Sequence, residues 1–283
     1  MTAERRLIEH VDRIEAEQPP VPLDSVDYTV LRPHVMRERF GGVLDYLARV
    51  ELEVDRNVLE LNTMLPNPPE VDVRFYRDVW HFQEIQHGVI LDKLQMILGR
   101  PPATPDTDTV SAKIRLLGAL SHLTPVQDIV RMLYYLTGMS TERSAVLAYN
   151  KLHAGMLELG ETAIAETAIA PIRRQEPPHY AFYKLSAVEL AGRLSPWQAW
   201  LTRRIRRLTW GPVGANNAEQ KADFGGVLTA LHMRHGLSGF GEEISRVERD
   251  LLWERDRGLE VPTYVVDALH EAVTLYDARG TPF

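Results

Sequence analysis

Two Glu-x-x-His tetrads are the residues best suited to chemistry in this chain: Glu84-Ile85-Gln86-His87 and Glu176-Pro177-Pro178-His179. On an α-helix, residues three apart share a face, so each pair can aim a carboxylate and an imidazole at one metal ion. Both pairs interrupt apolar stripes, one reading Val73, Trp80, Glu84, His87, Leu91, Leu94, Leu98 and the other Ile169, Ile172, Glu176, His179, Tyr183. A carboxylate on a core-facing stripe is costly unless it is paired or bound to a cation. Two more carboxylates sit the same way. Glu142 lies in the stripe Tyr135, Met139, Glu142, Val146, Tyr149, Leu152, and Glu51 in the stripe Leu47, Glu51, Val54, Val58, Leu61, Leu65. Glu53 and Asp55 compete with Glu51. Glu53 has the more polar neighbours and Asp55 lies nearer the helix edge, so Glu51 is preferred. The expected ligand set is Glu51, Glu84, His87, Glu142, Glu176 and His179, able to hold two divalent cations. Carboxylate and imidazole donors with open positions suit iron, with manganese as the alternative.

These residues need four long helices to position them, and the sequence supplies four. Apolar residues recur at three and four almost throughout, and alternating strand-like runs are scarce. A short charged helix is expected over 3–17, ended by Pro19, Pro20 and Pro22. Long helices are expected from about Gly42 to Leu65, from Val71 to Leu98, from Pro125 to Leu159 with Gly160 closing it, and from Thr162 to Gly192. A Pro/Thr/Asp loop at 101–109 and a short helix at 110–121 separate the second from the third. Pro177 and Pro178 cannot donate to the carbonyls of Arg173 and Arg174, so a kink or bulge is expected beside the ligands. A basic segment at 196–208, a turn at 211–217 and three more helices complete the chain. The run ETAIAETAIA at 161–170 is a local echo, not a structural repeat.

Bulk properties narrow the class. The chain has 283 residues, 45% hydrophobic and 25% charged, which fits one large domain with a substantial core. There is no cysteine, which excludes disulfides, thiolate metal sites, iron–sulfur clusters and cysteine nucleophiles. A net charge of −7 argues against nucleic acid as the main partner. The charged N-terminus lacks the apolar stretch of a signal peptide, and no run is long enough to span a bilayer, so a cytoplasmic protein is expected. There is no Gly-rich phosphate loop and no Gly-x-Ser-x-Gly elbow.

The order one Glu, one Glu-x-x-His, one Glu, one Glu-x-x-His on successive long helices is that of ferritin-like dimetal carboxylate proteins. Within that superfamily the segment WHFQEIQHGVILDKL around Glu84 resembles the E-E-x-R-H-G-x-L-L motif of soluble acyl-carrier-protein desaturases. Glu142-Arg143-Ser144-Ala145 resembles their E-R-A-T motif, and RRQEPPHYAFY at 173–183 their D-E-x-R-H-x-x-x-Y segment. The resemblance covers about residues 40–210. It implies an all-α, ferritin-like four-helix bundle over about 42–192, with additional N-terminal helix and a C-terminal helical extension over about 193–283, in a single domain. It further implies two iron ions, O2 as co-substrate, an acyl or acyl-carrier-bound substrate, an electron donor such as ferredoxin, and a homodimer. Gln83 and Gln175 stand where the family has acids, Ala145 where it has threonine, and Gln86 and Pro178 where it has arginines. The departures point to a divergent member. A dimetal hydroxylase or N-oxygenase and a non-catalytic iron-binding protein are the alternatives.

Trp80, Met139, Val146, Tyr149 and Tyr183 are candidates for the walls of a substrate slot. His81, one turn before Glu84, is a candidate outer partner of the ligands. Arg203, Arg204, Arg206 and Arg207 form a basic run suited to docking an acidic carrier protein or ferredoxin, or to a solvated face. His232 and His235 read as structural.

Overall fold

The computed structural model describes residues 3–253, 262–280 and 283, and among them there are helices and no strand. The N-terminal helix α1 (Ala3–Glu17) is followed by α2 (Pro33–Leu52) and α3 (Val54–Met64). Next, α4 (Glu70–Arg74) runs through a π-helical turn (Phe75–Trp80) into α5 (His81–Ile97). After α6 (Ala112–Ser121) comes the longest helix, α7 (Thr124–Glu158). A short α8 (Thr162–Ile164) and a second π-helical turn (Ala165–Ile169) lead into α9 (Ala170–Ala191). The remaining layer is α10 (Pro196–Thr209), α11 (Ala218–Ala230), α12 (Leu237–Leu252) and α13 (Thr263–Arg279). The stretch of the expected C-terminal extension at 254–261 lies outside the described residues. No helix among the described residues is long and apolar enough to cross a membrane.

Three boundaries differ from the expectation, each for a visible reason. The first long helix starts at Pro33, not near Gly42, because the buried Glu161 carboxylate accepts the N–H groups of Leu31 at 2.8 Å and Arg32 at 2.6 Å, and Pro33 fits the first helical position. The same helix is interrupted at Glu53, whose buried carboxylate is clamped by Arg49 at 2.9 Å and Arg56 at 2.6 Å. The fourth helix does not break at Pro177–Pro178. The two carbonyls left without donors belong to Arg173, which is half-buried, and Arg174, which is exposed, so water can satisfy them. The irregular turn comes upstream, at 165–169. Gly160 closes α7 with φ of 79°, a left-handed conformation that glycine adopts without strain.

Helix α2 runs antiparallel to α5: Leu52 meets Gly88, while Asp45 at the other end pairs with Arg100 at 3.6 Å. Helix α7 runs antiparallel to α9, with Gly138 against the Tyr183 ring and His153 within 3.2 Å of Glu166. These four helices bury two apolar clusters. One gathers Phe40, Leu44, Leu91, Leu94, Leu152 and Ile172 with residues of α11, α12 and α13. The other gathers Val54, Phe75, Val79, Met139, Phe182 and Tyr183 with Leu7, Val11 and Ile14 of α1. On every one of the four helices the expected ligands fall between the two clusters. The fold therefore holds a polar waist between two apolar blocks. Burying each large side chain in those blocks contributes about 1.5–3 kcal/mol, which offsets the desolvation of the waist.

Candidate metal centre

The structure brings all six expected residues together. Glu51 arrives from the end of α2, Glu84 and His87 from α5, Glu142 from the middle of α7, and Glu176 and His179 from α9. None is more than 6% exposed, and both histidines are fully buried. Their donor atoms form two groups of four. Glu51, Glu84, His87 and Glu176 make one, and Glu84, Glu142, Glu176 and His179 the other; within each group all donor atoms lie within 4.8 Å of one another. Glu84 and Glu176 belong to both groups, while Glu51 with His87 and Glu142 with His179 each belong to one, so each group could hold one ion.

The hydrogen bonds fit these roles. Tyr149 donates its hydroxyl to Glu51 Oε1 at 2.5 Å, and Trp80 donates its indole N–H to Glu142 Oε1 at 3.2 Å. Each single-position carboxylate is thus held from outside by an aromatic donor. The shared carboxylates keep one oxygen without any partner: Glu84 Oε1 and Glu176 Oε1 are buried and unbonded, as are His87 Nδ1 and His179 Nδ1. His179 Nδ1 lies 3.0 Å from Glu84 Oε1 and His87 Nδ1 3.3 Å from Glu176 Oε1, yet none of these atoms meets hydrogen-bond geometry. Four orphaned, buried polar atoms facing one another fit cations between them. Four carboxylates also match the charge of two divalent ions.

Electrostatics agree with that balance. Burial, reinforced by the Glu84 carboxylate, pushes Glu51 well above the ordinary carboxylate range. Burial and the neighbouring Glu176 do the same to Glu84, and burial with Glu51 and Glu142 to Glu176. Burial lowers His87. Burial also acts to lower His179, but the nearby carboxylate of Glu142, 3.7 Å from Nδ1, and those of Glu176 and Glu51 outweigh that and raise it. In the absence of cations the waist therefore retains protons, and cations would replace them.

A cavity opens onto the cluster, with Glu51, Glu84, Glu142 and Glu176 in its wall. The rest of its wall is mostly apolar. Val50, Trp80, Ala145 and Ala148 come from the bundle side, and Phe224, Val227, Leu228 and Phe240 from α11 and α12. The C-terminal layer thus roofs the cavity. Of the slot candidates, only Trp80 lines it. Met139 and Tyr183 are in the apolar block, Val146 is buried outside the cavity wall, and Tyr149 holds Glu51. A helical stripe alone does not tell whether it faces a gap or a neighbouring side chain.

Other candidates also find places. Glu53 is held by its two arginines, and Asp55 is exposed and accepts from His81 at 2.7 Å. His81 therefore supports Asp55, not a ligand. Arg206 is buried in a pair with Glu248, and Arg204 stacks on Trp200, so the basic run is partly internal. His232 ends α11 with φ of 57°.

The largest omission is the pair of glutamines preceding the ligands. His87 Nε2 lies 2.7 Å from Gln175 Oε1, and His179 Nε2 lies 2.5 Å from Gln83 Oε1. The glutamine amide nitrogens in turn donate to the carbonyls of Pro19 at 2.7 Å and Gln18 at 2.6 Å, just beyond α1. The signal was present, since both tetrads read Gln-Glu-x-x-His. Comparison with protein-family models, with curated proteins and with solved structures finds no match to this chain.

Proposed function

We propose that the cluster is a di-iron carboxylate centre in a ferritin-like four-helix bundle, and that the protein is an O2-dependent oxidoreductase of the desaturase type acting on an apolar chain. The observation that carries this reading is the pair of four-residue groups sharing Glu84 and Glu176, opening directly onto a mainly apolar cavity. Two irons bound there would supply electrons to dioxygen and the oxidising power for a C–H bond. The protein's own residues do the rest. Glu51 and Glu142 are fixed by Tyr149 and Trp80, so they hold position while Glu84 and Glu176, with free oxygens, can change how they bind. Val50, Ala145 and Ala148 leave room for a chain beside the carboxylates, and α11 and α12 cover it from the other side. Oxidation of a C–H bond by O2 in this way consumes two external electrons, so the reading requires a donor such as ferredoxin, and a carrier-bound acyl group is one substrate of the right character.

The test is metal content per chain after growth in iron-replete medium, alongside a Glu84→Ala, His179→Ala variant. About two irons per chain, lost in the variant, is the expected result. A protein that takes up no metal even after anaerobic loading with ferrous iron would overturn the proposal.

A further inference from the structure

A second, much smaller pocket adjoins the first as an annex, and Thr141, Ser144, Val213 and Phe224 are walls of both. These four residues lie between the two spaces. The annex differs in character. Thr137, Ser140, Thr141 and Ser144 stand on one face of α7, and Arg206 of α10 faces them.

Which of these groups is open to a ligand follows from their bonds. Arg206 is 3% exposed. Its Nε donates to both oxygens of Glu248 at 3.0 and 3.1 Å, and its Nη2 to Glu248 Oε2 at 3.0 Å, Leu136 O at 3.1 Å and Ser140 Oγ at 2.8 Å. Its Nη1 donates to Thr137 Oγ1 at 2.9 Å. Glu248 is fully buried and also receives the Tyr264 hydroxyl. The positive charge is thus matched inside the protein before any ligand arrives. The hydroxyl protons of Thr137, Ser140 and Ser144 are bound back onto the carbonyls of Leu133, Leu136 and Ser140. Ser144 Oγ keeps acceptor capacity. The Thr141 hydroxyl has no hydrogen-bond partner among the described residues, so it can both donate and accept. Of the hydroxyls, Thr141 offers a donor and Thr141 and Ser144 offer acceptors, beside a guanidinium whose charge Glu248 matches.

We infer that the annex binds a neutral hydrogen-bonding group, a hydroxyl or an amide, on a ligand whose apolar chain lies in the main cavity, and that it rejects a carboxylate. A carboxylate entering here gives up its hydration and finds a guanidinium already neutralised by Glu248. An alcohol or amide exchanges its water bonds for Thr141 and Ser144 at little cost. The inference rests on reading the main cavity as the substrate chamber, but not on the metals.

Trp80 lines one cavity and Trp210 the other, so tryptophan fluorescence reports occupancy of both. The full chain, as purified, is titrated with decan-1-ol, decanamide and decanoate at pH 8, with metal content measured on the same samples. The alcohol and the amide are expected to bind at least tenfold more tightly than the carboxylate. Thr141→Val, Ser144→Ala, which removes the hydroxyls at nearly constant volume, should erase that preference. Glu248→Gln leaves the Arg206 charge unmatched and should raise decanoate affinity about tenfold. Decanoate binding as tightly as decan-1-ol, a preference that survives in the double variant, or no binding of any probe would each overturn the inference. A preference seen in protein that takes up no metal would leave it standing and overturn the dimetal reading; two metals with no preference would do the reverse.

Discussion

Gln175 stands one residue before Glu176 on α9, yet its Oε1 meets Nε2 of His87 on α5 at 2.7 Å. Gln83, one residue before Glu84 on α5, meets His179 on α9 in the same way. The support is crossed: each Glu-x-x-His helix steadies the other's imidazole. Because each glutamine NH2 already donates to the strap at Gln18 and Pro19, its Oε1 must face the histidine. The imidazole then carries its proton on Nε2 and turns the Nδ1 lone pair toward the carboxylates.

A site-specific prediction follows from the crossing. Gln175→Leu should weaken the position formed by Glu51 and His87, and Gln83→Leu the position formed by Glu142 and His179, each by about 10–100-fold. Cobalt(II) titration followed by its visible absorption reads the two positions separately. Gln18→Ala should change neither, because only the Gln18 carbonyl is used. Equal weakening of both positions by either glutamine variant would refute the crossed arrangement.

The pH dependence of stability should reverse sign on metal binding. Glu51, Glu84 and Glu176 have folded pKa values above the ordinary carboxylate value, and His179 lies above its ordinary value of 6.5. Each holds its proton more firmly folded than unfolded. Their contribution is fully present below the unfolded pKa and is lost as pH rises through the folded one. His87, which is lowered, opposes this only below about 6.5. Above pH 6.5 the raised His179 fixes the sign: the chelator-treated protein should lose stability as pH rises through that histidine's folded value, by about 1.4 kcal/mol per pH unit for each extra proton held. Cations displace those protons, so the loaded protein should gain relative stability over the same range. Thermal melts from pH 6.5 to 8.5, with and without metal, test this; parallel curves would refute it.

At Gly88, α5 packs closely against Leu52 of α2. A Cβ there would lie 2.6 Å from Leu52 Cγ and 3.0 Å from the Leu52 backbone nitrogen, so side-chain rotation alone cannot make room. Gly88→Ala should force the helices apart beside Glu51 and His87, at a cost of about 1–3 kcal/mol. The expected outcome is a melting temperature lower by several degrees, with the Glu51 and His87 position weakened more than the other. Unchanged stability would show that the contact is softer than it looks.

The ligands were legible because each interrupts an apolar stripe, and only a paired or bound charge persists there. Glu51 was separable from Glu53 for a related reason: the polar neighbourhood of Glu53 was real, and Arg49 and Arg56 occupy it. The crossed glutamines were not legible in the same way. Their contacts join helices far apart in sequence, and a glutamine beside a ligand carries no penalty that marks it. The individual residues that roof the cavity were hidden for the same reason. Phe224, Val227 and Leu228 look like ordinary core residues on α11, and only the packing of α11 on α2 leaves a gap beneath them. The two π-helical turns, at 75–80 and 165–169, have no signature in residue type, since neither contains proline or glycine.

Ala145 gives a way to separate the cavity from the metal centre. It sits one helical turn beyond Glu142, lines the cavity and is half-buried. Ala145→Leu adds three carbons into space near the carboxylates without touching a hydrogen bond. Filling a gap carries little of the strain that follows from filling a packed core. The variant should keep two metals per chain and melt within a few degrees of the parent, while its affinity for decan-1-ol falls at least tenfold. Loss of metal would mean that position 145 acts on the ligands themselves. Unchanged affinity would mean that the chain of a bound molecule does not run beside Glu142, and the substrate reading of the cavity would fail with it.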